Sequence, residues 1–221
     1  MKYVVANWKM KMDSHEALDW DASSVADAAG LGVHVVVAPS FAHIPLLYEK
    51  FDSVEVSLSA QDVSVFDKGA HTGDVGAFQL DDFCKFCIVG HSEREESVEV
   101  VKEKIQACLK YDIIPIVCFV TPKQVKEYLS VDGVSIVAWE DPENISKEGV
   151  LNPKNNEEVV AGVADLREFV PSKVVVLYGG SVSRQNACDL AKIEGLDGVL
   201  VGSASLDSTH FAEIAKAFAE E

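Results

Sequence analysis

The sequence lacks the patterns that mark several common classes of protein. It has no run of about 18 apolar residues, the length that a membrane-spanning helix needs. Residues 1–8 lack the apolar core of a secretion signal, which predicts a cytoplasmic protein. Neither Gly-x-Gly-x-x-Gly after the first apolar run nor Gly-x-x-x-x-Gly-Lys-Ser/Thr occurs. These absences argue against a membrane protein and against the two commonest nucleotide-binding fingerprints.

Positive charge is also scarce. The chain has 19 Lys and Arg against 36 Asp and Glu, which gives a formal net charge of −17. Such a surface repels nucleic acids and anionic membranes, so neither is expected as a partner. An anionic ligand would be repelled at long range as well, and its site must therefore rely on local backbone dipoles and a nearby lysine.

Cysteine is infrequent, and its five copies are an odd number, as in proteins of a reducing compartment. Cys84 and Cys87 have the spacing of a zinc or redox pair. No second Cys or His pair completes a zinc site, and the motif precedes a strand instead of opening a helix. We interpret both as buried thiols and expect no metal site.

Eight short apolar runs, mostly β-branched and continuous, predict strands that are covered on both faces. With 48% hydrophobic residues in 221, the chain has enough apolar surface for one core, and we predict a single domain over residues 1–221. The predicted strands are Tyr3–Ala6, Val33–Ala38, Val54–Leu58, Phe86–Val89, Ile113–Cys118, Ser135–Trp139, Val174–Tyr178 and Gly198–Val201.

Helical patterns separate most of these runs. Alternation of strand and helix favours a parallel sheet, and eight repeats favour its closure into an α/β barrel of the (β/α)8 type. An open doubly wound sheet is the alternative. Between strands three and four the chain is mostly loop, and between strands five and six only Pro122–Leu129 has helical character, so the barrel should be compact. The other predicted helices are Ser14–Ala29, Ser92–Lys110, Asn156–Phe169, Arg184–Lys192 and Asp207–Ala219.

Two predicted strands end in glycine and serine near the carboxyl terminus. Tyr178 is followed by Gly179, Gly180 and Ser181, and the last strand is followed by Gly202 and Ser203. Such turns expose backbone N–H groups to an anion, and phosphate is commonly held after the last two strands of this barrel. The sequence therefore predicts a phosphate site between these two turns.

Polar side chains follow several other strands. Because active sites of α/β barrels lie at the carboxyl ends of the strands, these side chains should share one rim. A base, an acid and a cation beside an anion site suit proton abstraction next to a carbonyl group. The rim residues are Asn7, Lys9, Gln61, His91, Ser92, Glu93 and Glu140.

Three of these rim residues, His91, Glu140 and Lys9, are the candidates for the proton-transfer chemistry. Ser92 and Glu95 fit a capping box, which predicts a helix whose positive end would keep His91 neutral. Glu140 directly follows an apolar strand, where a carboxylate loses hydration. Taken singly, each has a plain alternative: a core histidine, an exposed loop glutamate, and, for Lys9, a solvated lysine.

The motifs together resemble the triosephosphate isomerase family over nearly the whole chain. Each motif alone is modest, but their order is specific. They are Ala6-Asn-Trp-Lys-Met10, Ser59-Ala-Gln61, Gly69-Ala-His-Thr-Gly73, Val89-Gly-His-Ser-Glu-Arg94, Trp139-Glu140, Tyr178-Gly-Gly-Ser-Val182 and Asp197-Gly-Val-Leu-Val-Gly-Ser-Ala-Ser205.

The resemblance implies an isomerase that interconverts dihydroxyacetone phosphate and glyceraldehyde 3-phosphate without cofactor or metal, in glycolysis and gluconeogenesis. Glu140 matches the catalytic base and His91 the neutral electrophile. Lys9 and Asn7 match residues that stabilise the substrate and the enediolate, and Glu93 matches a carboxylate that supports the lysine. The phosphate-binding residues implied are Gly179, Gly180, Ser181, Gly202 and Ser203.

The resemblance also implies a mobile lid after Glu140, and here the sequence departs from the family. The family's proline directly after the glutamate is displaced to Pro142, and its Gly-Thr-Gly tip aligns with residues 146–148. Ser146 still has a backbone N–H for the phosphate, and Ile145 and Leu200 match apolar residues that clamp the base. The altered lid leaves open a catalytically impaired or non-catalytic phosphate-binding barrel.

Thr72 matches a loop that enters a neighbouring subunit in the family. The resemblance therefore implies a homodimer, with a tetramer or a monomer as alternatives. Another phosphate-binding barrel enzyme, such as an aldolase, is the remaining functional alternative, but it would need a Schiff-base lysine that none of the predicted strands contains.

Overall fold

The protein is described by a computed structural model that covers residues 2–140 and 156–219. Eight parallel strands form a closed barrel in sequence order, β1 to β8. This is the predicted (β/α)8 architecture and not an open doubly wound sheet. The strands are β1 Lys2–Asn7, β2 Val33–Ala38, β3 Ser57–Ala60, β4 Phe86–Val89, β5 Ile114–Phe119, β6 Ile136–Trp139, β7 Val175–Tyr178 and β8 Gly198–Val201.

The barrel closes where β1 pairs with β8, with Tyr3 opposite Gly198. A Cβ atom on Gly198 would lie 1.8 Å from the carbonyl oxygen of Tyr3. Only glycine therefore fits at this seam.

Helices cover the outside of the barrel. Within the described residues they are α1 Ser14–Asp19, α2 Ser23–Gly30, α3 Ile44–Asp52, α4 Ala77–Leu80, α5 Val98–Lys110, α6 Pro122–Tyr128, α7 Asn156–Arg167, α8 Ala187–Ala191 and α9 Ser208–Ala219. The two connections predicted to be short contain only α4 and α6, which confirms the compact form. None of the described helices has the length and apolar character needed to cross a bilayer.

The core has two layers. Side chains that alternate along the strands fill the barrel interior, among them Val5, Phe86, Ile116 and Leu177. The opposite faces of the strands pack against the helices. Cys84 and Cys87 are buried in that outer layer, as the sequence interpretation expected.

The predicted third strand, Val54–Leu58, begins three residues before the observed β3, Ser57–Ala60, and stops two residues short of its end. Val54 and Val56 donate backbone hydrogen bonds to the Phe51 carbonyl at the end of α3, and Glu55 between them is left-handed with φ of 58°. These apolar residues therefore terminate a helix, and β3 begins only at Ser57.

The predicted helix Ser14–Ala29 is broken in two at Trp20. This residue is extended, buries its indole against Trp8 and Phe51, and donates its Nε1–H to the Ser205 carbonyl at 3.0 Å. Burying a large aromatic side chain is worth more than continuing a helix by one turn. Asp21 then accepts hydrogen bonds from the N–H and hydroxyl of Ser23, the first residue of α2.

The predicted helix Ser92–Lys110 is also divided, and its capping box is absent. Residues 92–94 form a 3₁₀ turn, Glu95 is left-handed, and α5 starts at Val98 under an N-cap by Ser97. The helix predicted over Arg184–Lys192 shrinks to α8, because Ser183 and Asn186 bond to each other in a turn.

Candidate active site

The carboxyl ends of β1, β4, β6, β7 and β8 meet around one cavity. Its lining includes most of the residues predicted from the sequence. They are Asn7, Lys9, His91, Glu140, Gly179, Gly180, Leu200, Gly202 and Ser203, joined by Val182 and Ala204.

Asn7 and Lys9 are held by a tight turn after β1. Lys9 is left-handed, with φ of 53°, and its N–H donates to Asn7 Oδ1 at 3.1 Å. Gln61, after β3, donates its side-chain N–H groups to the carbonyls of Lys9 at 2.9 Å and Ala38 at 2.8 Å. The backbone of the lysine is thereby fixed on both sides, and its ammonium group points towards the cavity.

The ammonium group of Lys9 donates to Glu93 Oε1 at 2.6 Å. Burial raises the pKa of Glu93, but the hydrogen bond and charge of Lys9 outweigh it, so the pKa lies below its usual value. Glu93 therefore stays ionised beside the lysine and holds it in place.

His91 lies between two hydrogen-bonding groups that define its tautomer. The backbone N–H of Glu93 donates to Nδ1 at 3.2 Å. A backbone N–H is always a donor, so Nδ1 carries the lone pair and the ring proton of the neutral imidazole is on Nε2. The Glu93 carboxylate is 3.9 Å from Nδ1, too far for a hydrogen bond. The tautomer of a neutral ring is thus set by the 3₁₀ turn and not by the capped helix that the sequence predicted.

Glu140 is only 1% exposed, and both of its carboxylate oxygens have donors. Oε1 lies 3.0 Å from His91 Nε2, and Oε2 accepts the backbone N–H of Ser92 at 2.7 Å. The negative charge of Glu140 also affects the Cys118 thiol. Burial first, and then the charge of Glu140, raise the pKa of this thiol well above its usual value. The structure therefore places a carboxylate and an imidazole in direct contact at the cavity.

Two glycine turns form the opposite wall. Gly202 lies beside the Lys9 stem, because a Cβ atom there would be 3.8 Å from Lys9 Cε. Gly179 lies beside Glu140, whose Cγ would be 3.3 Å from a Cβ atom at Gly179. Gly179 donates its N–H to the Trp139 carbonyl at 2.8 Å, so its role is to bring the turn close to Glu140. Ser181 is buried behind this wall and does not line the cavity.

The remaining predicted residues fall elsewhere. Pro142, Ile145 and Ser146 lie outside the described residues. Thr72 is exposed in the loop between β3 and α4. Val182 and Ala204 were not predicted to line the cavity, although each follows a predicted glycine turn directly in the sequence.

A ring of four charged residues supports the turn that carries His91. We call Asp62, Arg94, Glu96 and Lys104 the charge ring. Each cation contacts both carboxylates: Arg94 reaches Asp62 at 2.8 Å and Glu96 at 3.0 Å, and Lys104 reaches them at 2.6 and 2.5 Å. Burial raises the pKa of Glu96, but its hydrogen bonds to Lys104 and Arg94 bring it below the usual value. The ring ties β3, the 3₁₀ turn and α5 together.

Removing the buried cation of the charge ring is expected to destabilise the fold. In Lys104→Met, Asp62 and Glu96 would keep only the half-exposed Arg94, and Glu96 Oε2 already lacks a hydrogen-bond partner within the described residues. Breaking a buried pair costs about 3 kcal/mol. Urea unfolding should show this loss, whereas Lys102→Met, which removes a surface pair, should cost less than about 1 kcal/mol. Equal losses in the two variants would contradict this view of the ring.

A second cavity, of about 450 Å³, lies at the amino ends of β3 and β4. Among the residues that the structure describes, five carboxylates and one cation, Lys85, line it, so it is unsuited to a phosphate. The carboxylates are Asp52, Glu55, Asp81, Asp82 and Asp112. Within the described part of the chain, no cluster of three or more His, Cys, Asp or Glu side chains is arranged to hold a metal ion.

Comparison with known proteins identifies relatives along the whole chain. A family model described as triosephosphate isomerase matches residues 2–218. The triosephosphate isomerase of Symbiobacterium thermophilum is 33% identical over 98% of this chain and 96% of its own length. That of Alkalilimnicola ehrlichii is 35% identical over 97% of both chains. A crystal structure of triosephosphate isomerase from Bartonella henselae superposes with a TM-score of 0.84 at 23% identity over 98% of both chains, which supports the fold.

Proposed function

The chain belongs to the triosephosphate isomerase family, and on that premise we propose that its barrel rim moves a proton between the two carbons of a triose phosphate. The chain is an enzyme, an isomerase that interconverts dihydroxyacetone phosphate and D-glyceraldehyde 3-phosphate. The observation that carries the site assignment is the convergence of Lys9, His91 and Glu140 on one cavity.

Glu140 is the proposed base. A carboxylate is suited to remove the proton next to the substrate carbonyl and return it to the adjacent carbon, because the enediolate formed between the two steps is common to both sugars. In the structure, the Nε2–H of His91 points to Glu140 Oε1 at 3.0 Å. A substrate oxygen would need this same N–H as its hydrogen-bond donor. We therefore propose that binding of substrate separates the two side chains and leaves each free to act.

His91 is the proposed electrophile. Its Nε2–H can polarise the carbonyl and exchange protons with the enediolate oxygens, because the Glu93 N–H keeps Nδ1 unprotonated. The positive charge of Lys9 and the side chain of Asn7 stabilise the negative charge of the enediolate. Such stabilisation by fixed charges and dipoles is commonly the largest contribution to catalysis. Glu93 acts through Lys9, which it holds by a 2.6 Å hydrogen bond.

The phosphate is proposed to lie against the turns after β7 and β8. Gly202 and Ser203 line the cavity next to Lys9, and Gly180 lines it from the other turn. These turns supply local N–H dipoles, which a chain with a net charge of −17 needs in order to hold an anion. Ser181 supports the turn, since its carbonyl accepts the Asn186 side-chain N–H at 2.9 Å.

The resemblance extends the proposal to the segment that follows Glu140. Ser146 would add a backbone donor to the phosphate, and Pro142 and Ile145 would belong to the lid. Leu200, which lines the cavity, would clamp the base together with Ile145. A cover is chemically necessary, because water must be excluded from an intermediate that readily loses phosphate.

Membership of the family also supports a place in glycolysis and gluconeogenesis and a cytoplasmic location. Four of the five unpaired cysteines are buried, as suits a reducing compartment. The alternative of a non-catalytic phosphate-binding barrel is disfavoured, because a binder has no need of an imidazole and a carboxylate in contact at the cavity.

The direct test is an isomerase assay of the purified protein in both directions, with each product coupled to its dehydrogenase. We expect turnover of glyceraldehyde 3-phosphate that inorganic phosphate inhibits competitively. No turnover by a folded protein would refute the function and favour the binding-only alternative.

We further propose that the chain forms a homodimer through the loop that carries Thr72. This loop is folded on itself, with Phe66 stacked on His71 at 3.7 Å, although Phe66 stays about half exposed. Met10, next to Lys9, is 96% exposed. A second copy that covered these apolar side chains would contribute free energy to association and would border the active site.

A charged side chain in place of Thr72 should therefore separate the subunits. We expect the wild-type protein to sediment as a dimer of about twice its 24.0 kDa chain mass, and Thr72→Arg to sediment as a monomer with reduced turnover. Thr209→Arg, on the exposed surface of α9, serves as the matched control and should remain dimeric. A wild-type monomer at micromolar concentration would refute the proposal.

A further inference from the structure

Trp139 is the last residue of β6 and immediately precedes Glu140. Alternation along the strand directs Glu140 into the cavity, whereas Trp139 packs among the residues between barrel and helices. The two side chains thus leave opposite faces of one stretch of backbone. Displacement of the Trp139 ring would therefore act on the peptide from which Glu140 extends.

Gly162, in the middle of α7, makes room for the ring. A Cβ atom at this position would lie 2.2 Å from Trp139 Cη2 and 2.6 Å from Cζ3, far inside van der Waals contact. Glycine in a helix interior is about 1 kcal/mol less favourable than alanine. The close approach of the indole explains why glycine is tolerated here.

Trp139 has further contacts with β7 and its neighbouring peptide with β5. Its ring meets the Tyr178 ring at 5.8 Å between centroids, with an interplanar angle of 63°. Its carbonyl accepts the Gly179 N–H at 2.8 Å, and the next N–H, that of Glu140, donates to the Phe119 carbonyl at 2.8 Å. A larger residue at 162 would therefore press the indole towards the Tyr178 ring and the end of β6.

We propose that the contact of Trp139 with Gly162, which we call the indole seat, positions Glu140 for proton transfer. This inference rests on the proposed role of Glu140 as the base. The seat joins β6 to α7, the elements that flank residues 141–155, and it fixes the carboxylate relative to His91. Displacement of a reacting group by about 1 Å can cost up to about 10²-fold in rate.

Gly162→Ala tests the seat. The added methyl group would displace the indole, so we expect kcat to fall by about tenfold or more. KM and competitive inhibition by phosphate should change much less, because Lys9 and the turn after β8, with Gly202 and Ser203, belong to other strands. Gly30→Ala is the matched control: Gly30 also lies in a helix, but a Cβ atom there meets nothing within 4 Å, and kcat should not change.

The double variant Trp139→Phe/Gly162→Ala separates positioning from a general loss of stability. The phenylalanine ring does not reach the space of Cη2 and Cζ3, so alanine at 162 should cost nothing further in kcat relative to Trp139→Phe alone. An equal loss from Gly162→Ala in both backgrounds, or wild-type kcat in Gly162→Ala, would overturn the proposal. If Gly162→Ala does not fold, Trp139→Phe decides: a severalfold lower kcat at unchanged KM supports the seat, and wild-type kcat refutes it.

A wild-type protein without isomerase activity would refute the proposed function and not the seat. In that case the carboxyl ¹³C resonance of Glu140, assigned by its loss in Glu140→Gln, provides the test. It should shift in Gly162→Ala and keep its position in Gly30→Ala. An unchanged resonance in both variants would overturn the seat.

Discussion

Glu140→Gln is expected to lower kcat by about 10³-fold, the contribution of a well-placed general base. Glutamine has nearly the same shape and can keep one acceptor for the His91 Nε2–H or the Ser92 N–H, so the fold and the phosphate-binding turns should be retained. Competitive inhibition by phosphate, or direct binding of phosphate by calorimetry, should therefore differ little from wild type.

Two further variants sharpen this test. Glu140→Asp withdraws the carboxylate by one methylene group and should lose about 10²-fold, because the base remains but is misplaced. Glu103→Gln removes an exposed glutamate from α5 and should have wild-type kcat. If Glu140→Gln turned over at the wild-type rate, Glu140 would not be the base.

Lys9→Met is expected to lower kcat/KM by about 10³-fold, comparable to the loss of one preorganised charge-stabilising group. The ammonium group is a cation beside the glycine turns in a chain whose net charge is −17. Its removal also leaves the Glu93 carboxylate without its 2.6 Å partner at the edge of the cavity. Both effects oppose the binding of a phosphorylated substrate and of the enediolate.

The contribution of Glu93 can be separated in the double variant Lys9→Met/Glu93→Gln. Removing the uncompensated carboxylate should restore part of the phosphate affinity but not the turnover, since the cation is still missing. Lys11→Met changes the same formal charge at an exposed position and should leave both quantities unchanged. An equal effect of the two lysine variants would show that net charge matters and not the position of Lys9.

Much of the fold follows from local sequence patterns. Continuous β-branched runs such as Val33–Ala38 predict buried parallel strands, because such strands are covered on both faces. The errors arise where tertiary packing overrides the local pattern. Trp20 ends a helix because its indole is buried against Trp8 and Phe51, and Val54 completes a turn after α3 although its side chain suits a strand.

The candidate site could be predicted in outline, since the carboxyl ends of parallel strands share one rim of the barrel. The sequence could not predict which groups from distant parts of the chain form hydrogen bonds with one another. The contact of Glu140 with the Ser92 N–H joins residues 48 positions apart, and Lys104 reaches Asp62 across 42. The seat of Trp139 on Gly162 depends on the distance between β6 and α7, which no local pattern specifies.

Isomerisation in D₂O, followed by ¹H NMR, tests the central claim that Glu140 carries a proton between carbons through an enediolate. A proton held on a carboxylate exchanges with solvent, so the product of the wild-type enzyme should contain carbon-bound deuterium, and Glu140→Gln should introduce it at least about 10³-fold more slowly. Carbon-bound deuterium that appeared in the product of Glu140→Gln at the wild-type rate would show that another group moves the proton, and would contradict this role of Glu140.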